Sequence, residues 1–115
     1  MAALIASTPT AIFVSTPISL TNSAAISFDH GLGVTPSFVR WVIVCTNTDL
    51  SYAVGDELPI LSEDDNPPLL GAAGGANATT VFISEPASWN TFQKGTATKQ
   101  GITLSKWNIK CYARP

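Results

Sequence analysis

Short runs of apolar residues, alternating with polar ones at a period of two, recur along this chain between turn residues. Eight Pro and eight Gly punctuate it, and no stretch carries the 3.6-residue period of a helix. The pattern predicts an all-β fold, an antiparallel β-sandwich of jelly-roll-like kind. Its strongest strand is 37–46. Phe38, Arg40, Val42 and Val44 share one face, and Val39, Trp41, Ile43 and Cys45 share the other. Both faces are largely apolar, which predicts a central strand covered on both sides. The last strand alternates cleanly. Trp107, Ile109, Cys111 and Ala113 form its buried face, and Asn108, Lys110, Tyr112 and Arg114 the other.

Weaker runs complete the expectation. Residues 11–14, 18–20 and 24–28 read as strands, and 58–61 as a short edge strand because of Pro59. Residues 79–84 read as a strand with Val81 and Ile83 on one face and Phe82 on the other. Residues 47–57, 62–68 and 71–77 read as loops, and 85–100 as a mixed polar stretch. Residues 1–23 are expected to form an extended N-terminal arm carrying the first short strand, and 24–115 the sandwich domain. A chain of 115 residues holds one such domain.

Composition narrows the function classes. Apolar residues make up 45% of the chain, enough for a core, while charged residues make up only 12%. Ser and Thr fill 24 positions. A net charge of −2 argues against a general nucleic-acid binder, which needs clustered Lys and Arg. The charges are segregated: six acids and no bases from Asp49 to Asp65, five bases and no acids from Lys94 to Arg114. Either two solvated surfaces offset each other within one subunit, or complementary faces meet on adjacent subunits. No apolar run approaches the roughly 20 residues that span a bilayer, so no membrane partner is expected. No Lys or Arg precedes Arg40, so no secretory signal is expected either.

Candidate chemistry is sparse. Cys45 and Cys111 sit in apolar runs and read as buried free thiols, with a bridge open if their strands face each other. His30, beside Asp29 and before a glycine, reads as a backbone-bonding turn residue, since no nucleophile elbow accompanies it. The acids at 56–57 and 63–65 read as solvated loop groups without the spacing of a calcium loop. The glycines at 71–75 lack the Gly-Lys-Ser/Thr of a phosphate loop. No catalytic residue, cofactor or metal is therefore expected, and the reading is not an enzyme. Trp41 and Trp107 belong to strand faces, whereas Trp89, in a polar stretch, is the one aromatic placed to touch a ligand.

One stretch is more specific. Phe28-Asp29-His30-Gly31-Leu32-Gly33-Val34-Thr35-Pro36 leads into the central strand, and Tyr52-Ala53-Val54-Gly55-Asp56-Glu57-Leu58 follows it. This pattern resembles that of small β-sandwich modules in virion proteins of tailed bacteriophages, and the final strand is similar to their closing strand. His30, Gly31, Gly33, Pro36 and Gly55 then serve as turn-forming devices. The resemblance implies a homotrimer. A chain one module long, without shaft or heptads, suits a capsid decoration, or cement, protein on the virion surface, assembled in the host cytoplasm. Its partners would be copies of itself and the major capsid protein. Contacts are expected from Ile5, Ile12, Phe13, Trp41, Trp107 and Tyr112, with the arm lying along a neighbour. The alternative is a tail-fibre or head-fibre module that binds host surface glycans through Trp89.

Overall fold

The computed structural model describes residues 12–60 and 73–115. The central pair is β4 (Phe38–Cys45) and β10 (Trp107–Arg114), antiparallel over their whole length, from Trp107 opposite Cys45 to Arg114 opposite Phe38. β5 (Glu57–Pro59) flanks β4 on its other side. Pro59 therefore lies on an edge strand, as its missing N–H favours. The far side of β10 takes β1 (Phe13–Val14) and then β2 (Ile18–Ser19). Ser15 spans the interval between them. Its N–H donates to Cys111 O at 2.9 Å, and its Oγ accepts from Cys111 N–H at 2.8 Å.

The second sheet has the order β3 (Ala25–Asp29), β7 (Thr80–Ser84), β6 (Ala73–Ala76), with antiparallel neighbours. β8 (Asn90–Phe92) and β9 (Lys99–Gly101) form a separate hairpin. The core lies between the two sheets, in a sandwich-like arrangement. Trp41, Ile43 and Cys45 of β4 and Trp107, Ile109 and Cys111 of β10 pack in one cluster with Val81 and Ile83 of β7. Each Ile fully removed from water there contributes about 1.5–3 kcal/mol. Trp41 stacks on Phe28 of β3, ring centroids 5.8 Å apart, which ties the sheets together. At the other end, Asp49 Oδ2 accepts both Trp107 Nε1–H and Thr103 N–H at 3.0 Å, pinning the loop after β4 to β10.

The expected all-β, antiparallel architecture holds and β4 is central in its sheet, but only its inner face is covered by the second sheet, outward Phe38 being 41% exposed. Four further expectations are corrected. Residues 73–76 form a strand where 71–77 reads as a loop. Small residues have weak strand preference alone, but here they pair with β7, and Gly74 lies against Trp41. The polar stretch 85–100 contains β8 and the start of the hairpin with β9, whose side chains carry no apolar alternation to announce it. The arm is not free as far as residue 23, because from Phe13 to Ser19 the chain pairs with its own β10 and Leu20 is buried. Trp89 is 3% exposed and belongs to the core cluster. Residues 1–11, including Ile5, lie outside the described residues.

Candidate contact surface on the outer sheet face

Strand alternation sends Phe38, Arg40, Val42 and Val44 of β4 away from the core, together with Asn108, Lys110, Tyr112 and Arg114 of β10. The β4–β10 register sets Arg40 opposite Tyr112, Val42 opposite Lys110 and Phe38 opposite Arg114. Glu57 comes from β5, beyond β4. Its carboxylate crosses the central strand to meet Lys110 Nζ at 3.0 Å and accepts the Tyr112 hydroxyl at 2.8 Å. Lys110 also lies over the Tyr112 ring, 4.8 Å from its centroid. This cluster bridges all three strands above Val42, which has no exposed surface although it points outward. Burial pushes the Glu57 carboxyl up, but Lys110 and Tyr112 together outweigh it and hold the carboxyl below its ordinary range.

Beside this cluster an open groove of about 310 Å³ is lined by Ile12, Phe38, Arg40, Glu57, Tyr112, Ala113 and Arg114. Ile12 and Phe38 are 64% and 41% exposed, and Val14, in register with Tyr112, is also exposed. The Arg114 guanidinium sits 4.8 Å over the Phe38 ring. Among the described residues neither Arg40 nor Arg114 forms an ion pair. Apolar side chains beside guanidinium groups that form no ion pair suit contact with another macromolecule.

The structure brings two expected contact residues, Ile12 and Tyr112, to this groove. Of the other expected contacts among the described residues, it brings none. Phe13 pairs with Ala113 and packs against the core, while Trp41 and Trp107 are 5% and 1% exposed within it. Trp89 donates its indole N–H to Thr21 O at 2.7 Å from a buried position, so it offers no platform for a sugar. Phe38, Arg40, Glu57 and Arg114 had no place among the expected contacts. The alternation of the two long strands carries that information, but the arrival of Glu57 from β5 does not follow from it.

The remaining candidates are structural. His30 is buried. Its Nδ1 accepts Leu32 N–H at 3.0 Å, so Nε2 carries the proton and donates to Asn77 O at 2.9 Å. It staples the β3–β4 turn to the β6–β7 turn, with both nitrogens engaged. Gly31 and Gly33 have φ of +65° and +79°, and Gly55 +95°, angles that favour glycine. Pro36 precedes β4 by two residues, and Ser37 N–H donates to Arg114 O at 3.0 Å to start the pairing. Cys45 and Cys111 are free and buried. Each faces a tryptophan in the β4–β10 register, Trp107 and Trp41 respectively, so Cys45 stands at the end of the pair and Cys111 in its middle, out of register with each other. Burial pushes the Cys111 thiol up to about 12.

The segregated charges pair partly within the chain, through Lys94–Asp56 at 2.8 Å and Lys110–Glu57 at 3.0 Å. That observation favours offsetting surfaces within one subunit for these four residues. Compared with family models, with curated proteins and with solved structures, the chain matches none.

Proposed function

We propose that this chain is a structural protein of a tailed-bacteriophage virion, a capsid decoration protein that acts by binding alone. The outer face of the first sheet is the observation that carries the reading: exposed Ile12 and Phe38 border a groove whose two arginines have no ion pair among the described residues. Copies associate through this face as a homotrimer, and the trimer docks on the major capsid protein where capsomers meet. The residues of the resemblance support the same reading, because His30, Gly31, Gly33 and Gly55 shape turns while Glu57 organises the outer face. Multivalent docking then turns modest contacts into firm attachment.

Quantitative mass spectrometry of purified particles tests it by counting copies of this chain per copy of the major capsid protein. Comparable counts support a shell-covering role. A handful of copies per particle moves the chain to a fibre, and none overturns the virion reading.

A further inference from the structure

One edge strand of the second sheet, β3, carries an interaction edge of its own. Glu85 N–H donates to Ala24 O, and His30 N–H donates to Thr79 O. The even-numbered residues of this segment thus turn their backbone groups to β7, and the odd ones, Ala25, Ser27 and Asp29, turn theirs outward. No turn or loop bond among the described residues meets them there. Folded proteins protect such edges with Pro, Lys, bulges or brevity. β5 is three residues long and contains Pro59, and β1 and β2 are two residues each with Pro17 between them. β3 has neither Pro nor Lys and pairs with β7 over five residues without a bulge.

We infer that β3 is a strand-addition site for a second copy of this chain, antiparallel and centred on Ser27. The sequence is complementary to itself in that register. Ile26 of each copy faces Phe28 of the other, an aromatic and β-branched pair of the kind that stabilises sheets. Both residues are only half-buried in one copy, and pairing covers them. Asp29 faces Ala25 of the second copy, so no like charges oppose. Ser27 faces its counterpart in a hydrogen-bonded pair, and the two three-stranded sheets become one continuous sheet. This twofold link goes beyond the proposed virion role and does not rest on it. Where trimers form through the outer face of the first sheet, it joins neighbouring trimers.

The test uses the full chain. In the inferred register the two Ser27 Cα atoms lie about 5.5 Å apart, within the range a disulfide spans. Ser27→Cys is expected to cross-link into a covalent pair under mild oxidation, at least tenfold faster than Ser84→Cys, an exposed position on the neighbouring strand. The native thiols are buried and do not compete. Two lysine substitutions on the same exposed face have opposite expected effects in sedimentation equilibrium. Ser27→Lys opposes like charges and weakens pairing about two- to fivefold. Ala25→Lys faces Asp29 of the second copy and tightens it about two- to thirtyfold. Equal cross-linking of the two cysteine variants, or like effects of the two lysines, overturns the inference. Thermal melts of each variant confirm that the fold itself is intact, and the copy number on particles is measured independently.

Discussion

Gly74 of β6 lies beneath the indole of Trp41: a Cβ at position 74 would stand 3.3 Å from both Cδ1 and Nε1 of the ring. Trp41 is buried and also stacks on Phe28, so it has little freedom to yield. Gly74→Ala is therefore expected to destabilise by about 1–3 kcal/mol. At Gly75 the clash is nominally closer, 2.8 Å, but it falls on the far end of the Phe82 ring, which is 42% exposed and can swing away. Gly75→Ala is expected within about 1 kcal/mol of the parent. Urea unfolding of the two variants separates them, and equal effects would refute this account of the β6 glycines.

The two buried strand tryptophans differ in one bond. Trp107 Nε1–H donates to Asp49, whereas Trp41 Nε1 is buried and has no acceptor among the described residues. Trp107→Phe strips a donor from a buried carboxylate and is expected to cost about 1–3 kcal/mol more than Trp41→Phe. Trp41→Ala, by contrast, removes the packing as well and is expected to cost about 3–5 kcal/mol. Calorimetric melting of the three variants gives the order directly.

Glu85 is buried at the end of β7. Thr21 Oγ1–H donates to its Oε1, and its Oε2 has no partner among the described residues. Burial raises its carboxyl above the usual range, against the Thr21 bond. A raised carboxyl costs stability while ionised, and the cost is relieved as pH falls through its folded value. Asp56 and Glu57 run the other way: both are held low, so their contribution is present above the ordinary carboxyl range and lost on acidification. Glu85→Gln is expected to stabilise near pH 7 by about 1 kcal/mol. The gain should shrink as the parent Glu85 takes up its proton. Melting curves from pH 3 to 8 would refute this if the gap stayed constant.

Leu50 and Ser51 form the centre of a tight turn between Asp49 and Tyr52, whose backbones bond each other at 2.8 and 3.3 Å. Both have positive φ, 50° and 68°, where Asn-Gly is the favoured pair. Ser51→Gly relieves the left-handed cost at an exposed position and is expected to stabilise by about 0.5–1 kcal/mol, the Ser51–Gln93 side-chain bond being solvent-exposed. A lower melting temperature would show that this bond matters more than the strain.

Much of this fold was legible before the structure. The alternation in β4 and β10 assigned their faces correctly, and Pro59 marked an edge. Gly31, Gly33 and Gly55 sit at the positive φ angles their turns demand. β6 and the β8–β9 hairpin were hidden, because their residues have little apolar contrast, although each pairs with a strand close by in the chain. Trp89 escapes the sequence pattern for a related reason. Its neighbours are polar, yet the ring inserts into the core and bonds Thr21, 68 residues away in sequence.

The sequence by itself determined the strand type, the inward and outward faces of the long strands and the turn positions. These depend on side-chain period and backbone sterics, which are local. Only the tertiary structure decided that Glu57 reaches across β4 to Lys110 and Tyr112, that Ile12 and Phe38 border one groove, and that β3 is left as an edge. Those relations depend on which strands become neighbours and in what register, and pairing energy summed over the whole chain sets both.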